Sequence, residues 1–201
     1  RKEIPLPHWA DEVESTVPDN MNFALKSCRA APLTRVSELF GDVERQFLLT
    51  FEALDHYGRW RGHQKNANFR YYTPVGAIPG RHVQWQTGNA TATGLTPQRV
   101  FVYLQDSPAL LPLLRWLARR QISTVCVAPH MAPKDLEEFA RSSVVVSTTP
   151  VDLRPLLGTC RLAVLNGGHG TVCACLMAGV PLVLMPRLLE HEITAYRLVD
   201  L

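Results

Sequence analysis

Between residues 99 and 186 the chain alternates short apolar runs with longer stretches whose apolar positions recur at helical spacing. The runs are Arg99–Leu104, Ile122–Ala128, Val144–Val146, Leu162–Leu165 and Leu182–Met185, each too short for a helix and suited to a strand buried on both faces. Between the first two, Leu110, Leu113, Leu114 and Leu117 give one helical face, and Ser107-Pro108 can cap that helix; Pro112 would delay its start. Pro133–Ala140 reads as a short helix and Asp152–Leu157 as a helical turn. A helix-compatible stretch after Gly170-Thr171 runs to Ala178, with Gly179 as its stop. Strands alternating with helices at this interval predict an α/β fold with a Rossmann-like, doubly wound parallel sheet. Right-handed crossovers then put all strand ends on one rim, where Gln105, His130, Thr149, Asn166 and Glu190 gather.

The first half is less regular. Proline punctuates a polar opening at positions 5, 7 and 18, and Met21–Ala31 reads as a short helix. Leu33–Gln46 has helical spacing at Val36, Leu39, Phe40 and Val43, and Phe47–Phe51 reads as a buried strand. Asp55-His56 would suit a general base, but packing or surface roles are the stronger expectation. Phe69–Tyr72 reads as another strand. Thr73–Pro97 is rich in Pro, Gly, Thr and Asn and suits an interdomain linker, with Trp85 anchoring it. The expected organisation is therefore a first domain ending near residue 72, a linker over 73–97 and a second domain over 98–201. Opening on Arg1 and stopping at Leu201 within a helix, the chain reads as a fragment of a longer protein.

Composition narrows the classes. With 46% hydrophobic and 19% charged residues, the 201-residue chain can bury a sizeable core. A net charge of +3 with no basic block argues against nucleic acid as a partner. The five cysteines have no metal-ligand spacing, and buried free thiols in a reducing cytosol are expected, which makes the location cytoplasmic. No apolar run approaches the ~20 residues of a membrane span.

Chemistry concentrates after the fourth and fifth of these strands. Asn166-Gly167-Gly168-His169-Gly170-Thr171 places three glycines between a strand and a helix, a turn that directs backbone N–H groups and a helix N-terminus at an anion. Asn166 and Thr171 add side-chain donors. Glu190-His191-Glu192 follows the next strand, where a bound ligand would extend.

These residues, with Ala178-Gly179-Val180-Pro181 and Pro186 four positions before Glu190, resemble the donor half of GT-B nucleoside-diphosphate-sugar glycosyltransferases, a group that includes macrolide, rhamnosyl and UDP-glycosyltransferases. The resemblance implies a donor domain preceded by the end of an acceptor domain. It implies diphosphate contacts from Asn166, Gly167, Gly168, His169, Gly170 and Thr171, and donor-sugar contacts from Glu190 and His191, set apart from the anion site. It puts Gln105, Thr149, Pro150 and Val151 on the nucleoside side. The implied activity is inverting transfer of a hexose from a UDP- or dTDP-sugar to a small-molecule or lipid acceptor, without a metal or other cofactor. The base would belong to a part of the family's acceptor domain that this sequence does not contain. The sequence departs from the family pattern in four places: Asn166 replaces the usual His, Ala174 a common Glu and His191 a usual Gln, and the usual base-stacking Trp is absent from Thr148-Thr149-Pro150-Val151, which leaves uridine or thymidine open. They leave open a catalytically inactive, nucleotide-sugar-binding auxiliary protein and, behind it, a sugar-nucleotide epimerase. Peripheral membrane association, oligomeric state and acceptor identity also stay open.

Overall fold

The computed structural model describes residues 8–35, 38, 44–58, 69–74, 80–86, 98–105 and 107–199. The chain divides into two compact units. The smaller comprises Arg1–Leu48 and Asn66–Arg70, the larger Leu49–Lys65 and Tyr71–Leu201.

The larger unit is built on five parallel strands: β3 (Arg99–Tyr103), β4 (Ser123–Val127), β5 (Val144–Ser147), β6 (Leu162–Leu165) and β7 (Leu182–Leu184). Their spatial order is β5-β4-β3-β6-β7. The chain thus winds outward from β3 to one edge, returns to β3's other side and winds out again. Val100 pairs with Thr124 on one side and Leu162 on the other, while Ala163 pairs with Leu182. The near-continuous apolar sequences of β3, β4 and β6 reflect burial on both faces, whereas β7, at the sheet's edge, is not buried as its sequence suggests: Val183 is 45% exposed.

Alternate residues of each strand feed two cores. Phe101, Val125, Val127, Ala163 and Leu165 pack with α4 (Arg154–Leu157) and α5 (His169–Met177). Val100, Val102, Cys126, Val144 and Val164 pack with α2 (Leu110–Arg119) and α3 (Pro133–Phe139). Helices on the outward path cover one face and helices on the return path the other, as right-handed crossovers require. The helix α2 starts at Leu110, beyond the Ser107-Pro108 expected to cap it, and Pro112 sits in its first turn, where no intrahelical N–H bond is needed. Gly179 ends α5 with φ of 67°, and Val180 N–H donates to Cys175 C=O at 3.0 Å. That left-handed residue is what lets the chain fold back into β7.

Two expectations for the first half are corrected. The helix α1 runs His8–Ser27 and carries Pro18 inside it, so the proline does not bound a helix starting near Met21. The strand at Phe47 is β1 (Gln46–Leu49), paired with β2 (Phe69–Tyr72) in a two-stranded sheet. It is not buried: Phe47 is 60% exposed. The helical spacing over Leu33–Gln46 falls mostly outside the described residues.

Within the larger unit, a 3-10 turn (Glu52–Leu54) follows β1 and contributes Leu54 to the core. Asp55 is buried, accepting from Tyr71 Oη–H at 2.9 Å and Tyr57 N–H at 3.0 Å. His56 Nε2 lies 3.2 Å from Thr194 Oγ1. Both residues thus act in packing. In the 80–86 segment, Arg81 N–H donates to Pro150 C=O at 2.8 Å and Asp152 N–H to Arg81 C=O at 3.0 Å. Trp85 Nε1–H reaches Thr159 Oγ1 at 3.1 Å, which anchors the segment.

Candidate functional site

The candidate site begins where β6 ends. Asn166 leaves the strand almost buried, and Gly167 follows at φ of 112°, a conformation closed to side chains with a Cβ. Gly168 caps α5, whose first backbone bond runs from Val172 N–H to Gly168 C=O at 3.1 Å. The N–H groups of His169, Gly170 and Thr171 therefore precede the reach of the helical ladder. A Cβ built on Gly168 or Gly170 meets no atom within 4 Å, so open space adjoins these glycines. Aligned peptide dipoles add a partial positive charge there, and an anion can approach the backbone closely.

Asn166 itself is turned to another task. Its Oδ1 accepts Gln105 N–H at 2.6 Å, and its Nδ2–H donates to Met185 C=O at 3.1 Å. The amide thereby ties the ends of β3 and β7 to the loop between them. His169, in the first turn, has Nδ1 3.3 Å from Cys173 Sγ one turn later. Burial pushes the Cys173 thiol up to about 11.

The second cluster opens α6 (Leu189–Val199), with Glu190 and Glu192 in its first turn, where the helix dipole favours acidic groups. The two clusters are closer than the sequence suggested. A Cβ on Gly167 would lie 3.2 Å from both the Cβ and the carbonyl oxygen of His191, so the glycine lets α6 pack directly on the loop. Glu190 is exposed, and His191 Nδ1 is buried without a hydrogen-bond partner. Thr194 Oγ1–H donates to Glu190 C=O at 2.9 Å, joining the α6 opening to His56.

The nucleoside-side residues are not all brought together. Gln105 stands at the end of β3 beside Asn166, with its side chain exposed and Nε2–H on Tyr103 Oη at 2.5 Å. Thr149 and Pro150 are exposed beyond β5, three strand spacings, or ~14 Å, from β6. Val151 turns into the core at 5% exposure, and so leaves the rim. His130 is exposed at the end of β4.

Sequence reasoning missed Arg187. Its Nη1–H donates to Gln105 C=O at 2.8 Å, so Gln105's backbone is held from both sides, by Asn166 and Arg187. An arginine just beyond the apolar run of β7 was the available signal. Between the loops after β3 and β4 lies a cavity of about 230 Å³, bordered by Leu104, Gln105, His130 and Asp135 among others. Among the described residues no group of three or more His, Cys, Asp or Glu could hold a metal ion. No described helix is long and apolar enough to cross a membrane.

No protein-family model matches the chain, and no curated protein matches it in sequence. Solved structures do. The glycotransferase of kitacinnamycin superposes with a TM-score of 0.63 at 16% identity, over 95% of this chain and 49% of that one. The calicheamicin glycosyltransferase CalG4 gives 0.57 at 20% identity, over 84% and 41%. A UDP-glucose:anthocyanidin 3-O-glucosyltransferase in complex with UDP gives 0.54 at 15% identity, over 79% and 38%. The chain spans less than half the length of each. Its fold, a parallel Rossmann-like sheet carrying the glycine loop at the sheet's reversal point, is that of the GT-B glycosyltransferases.

Proposed function

We propose that the chain binds a nucleoside-diphosphate sugar and forms the donor part of an inverting glycosyltransferase, which passes a hexose from a UDP- or dTDP-sugar to a small-molecule or lipid acceptor. The observation that carries this is the α5 N-terminus: backbone N–H groups ahead of the helical ladder, beside two glycines that open onto free space. As the sugar–oxygen bond breaks, negative charge grows on the leaving diphosphate. Fixed N–H dipoles stabilise that charge without reorganising, which is how such a loop contributes to rate. The chemistry needs no metal for this step. Glu190 accepts hydrogen bonds from the sugar hydroxyls, and the unpartnered His191 Nδ1 beside Gly167 offers a further polar contact. The proton of the acceptor hydroxyl goes to a base that the described residues do not supply in this reading. The complex of UDP with a glucosyltransferase of the same fold supports the ligand class.

One observation favours the auxiliary alternative. The Asn166 amide, at the position where the resembled family carries His, braces the loop through both ends. It therefore adds less to the anion site than an imidazole would.

Calorimetric titration with UDP and dTDP tests the proposal. The expected outcome is that both nucleotides bind the unaltered chain. Gly170→Val, which fills the open space at the helix start, weakens them by roughly an order of magnitude or more while circular dichroism stays unchanged. A chain that binds neither nucleotide removes the donor-binding role.

A further inference from the structure

We propose that the end of the larger unit opposite the glycine loop is a docking surface for an anionic lipid bilayer, formed by a row of arginines at the strand starts and by Trp116. Neither the row nor its test involves the nucleotide site.

The row follows from the parallel sheet, whose strands gather their first residues at one end. Arg141 precedes β5, Arg119 and Arg120 precede β4, Arg161 precedes β6, and Arg99 opens β3. Backbone pairing fixes them as neighbours. Arg161 N–H donates to Arg99 C=O at 2.8 Å, and Arg99 is in register with Ser123, three residues after Arg120. Thr124 N–H donates in turn to Ser143 C=O at 2.9 Å, two residues after Arg141. Five arginines thus start from four adjacent strands, a width of three strand spacings or ~14 Å. All but the half-buried Arg99 are exposed.

Charge is one-sided here. Residues 119–122, 140–143, 158–161 and 178–181, which form turns at this end, include no Asp or Glu. Glu137 and Glu138 flank the row on α3, but Arg115 already binds Glu138 through Nε at 2.8 Å and Nη2 at 2.7 Å. Among the described residues, none of the five row arginines is in an ion pair. Asp135, Asp152, Glu190 and Glu192 stand at the other end, after β4, β5 and β7. Helix dipoles favour arginine at the ends of α2 and α3, which accounts for Arg119, Arg120 and Arg141. They do not account for Arg99, on a strand, or for Arg161, four residues past α4.

Trp116 decides between anionic partners. It lies in the last turn of α2, 51% exposed, with the Arg120 guanidinium 5.4 Å from its ring centre. An indole beside cations suits the headgroup level of a bilayer, where the ring meets the acyl boundary and the basic groups meet anionic lipids. A nucleic-acid duplex fits less well. The turns here are three or four residues long and project no helix or ribbon to enter a groove. Docked by this end, the unit keeps its glycine loop, beyond the far end of β6, open to water.

Co-sedimentation with vesicles tests the surface, using phosphatidylcholine alone and phosphatidylcholine with roughly one-third phosphatidylserine. The chain should bind the anionic vesicles and not the neutral ones, and ~0.5 M salt should release it. Arg119→Gln combined with Arg120→Gln should lower the partition coefficient on the order of twentyfold, and Arg161→Gln alone about fivefold. Arg154→Gln, which removes the same charge from the other end, should leave it unchanged. Trp116→Ala should weaken binding and abolish a blue shift of tryptophan emission on the vesicles. All these side chains are exposed, so their replacement spares the core. No preference for anionic vesicles, an equal loss in Arg154→Gln, or full binding by the double-arginine variant would overturn the surface. Tighter binding to a DNA duplex than to anionic vesicles at equal phosphate would overturn it too, and assign the row to a polynucleotide.

Discussion

Asn166 holds two strand ends at once: its Oδ1 takes the Gln105 N–H at 2.6 Å and its Nδ2–H goes to the Met185 carbonyl at 3.1 Å. Because β6 lies between β3 and β7, one short amide at its end can reach both neighbours. The rim is thus cross-linked beside the glycine loop. Asn166→Leu keeps the size but leaves an N–H and a C=O without their partner at a site 8% exposed. Stability should fall by about 1–3 kcal/mol. For a domain of this size that lowers Tm by about 2–4 °C per kcal/mol, read by thermal denaturation.

Gly167 and Gly168 should answer differently to one added methyl. At Gly167 the positive φ and the His191 backbone 3.2 Å from a Cβ both oppose alanine, so Gly167→Ala costs about 1–3 kcal/mol and disturbs the start of α6. At Gly168, with φ of −59° and no atom within 4 Å, alanine fits. Denaturant unfolding of the two variants should separate them clearly; equal losses would mean that the contact with His191 carries no weight.

Glu190 tests the division between sugar and nucleotide. It is exposed at the opening of α6 and carries charge that would repel phosphate. Glu190→Gln should weaken UDP-glucose binding by roughly tenfold to a hundredfold, the loss of a charge-assisted hydrogen bond, and leave UDP nearly unchanged. Parallel weakening of both ligands in calorimetry would assign Glu190 to the structure of the loop. His191→Gln should shift preference among UDP-sugars more than it shifts affinity for UDP.

The thiols give a prediction about pH. Cys28 is exposed, whereas Cys126, Cys160, Cys173 and Cys175 are buried. Burial pushes Cys126 and Cys175 up to about 12, the latter also by the neighbouring Cys160. An unfolded thiol ionises near ~8.5, so the raised folded values mean that the unfolded state releases protons first. The stability these groups contribute is complete below ~8.5 and is lost as pH rises through the folded values. Native chain at pH 8 should therefore react with a thiol reagent at Cys28 alone, and all five cysteines should react in denaturant. Rapid labelling of Cys173 in the native chain would contradict its burial beside His169.

The sequence by itself determined the strands, the turn and the stop of the helix that follows. Leu162–Leu165 is apolar throughout because β6 is buried on both faces, and Gly179 is the residue that a left-handed helix end requires. Such features are local: a few consecutive residues encode the period of an element or the φ of a turn. The two-residue partnerships were decided only in three dimensions. Whether Asn166 faces a ligand or ties Gln105 to Met185 depends on β3 and β7 flanking β6, an order that no short window contains. The contact of Gly167 with His191, the pairing of Arg81 with Pro150, and the seat of His56 against Thr194 join positions from 24 to 138 residues apart. Pro18 inside α1 and the exposed Phe47 show the same limit from the other side. Residue type biases a segment's conformation, but the packing of distant segments settles which bias prevails.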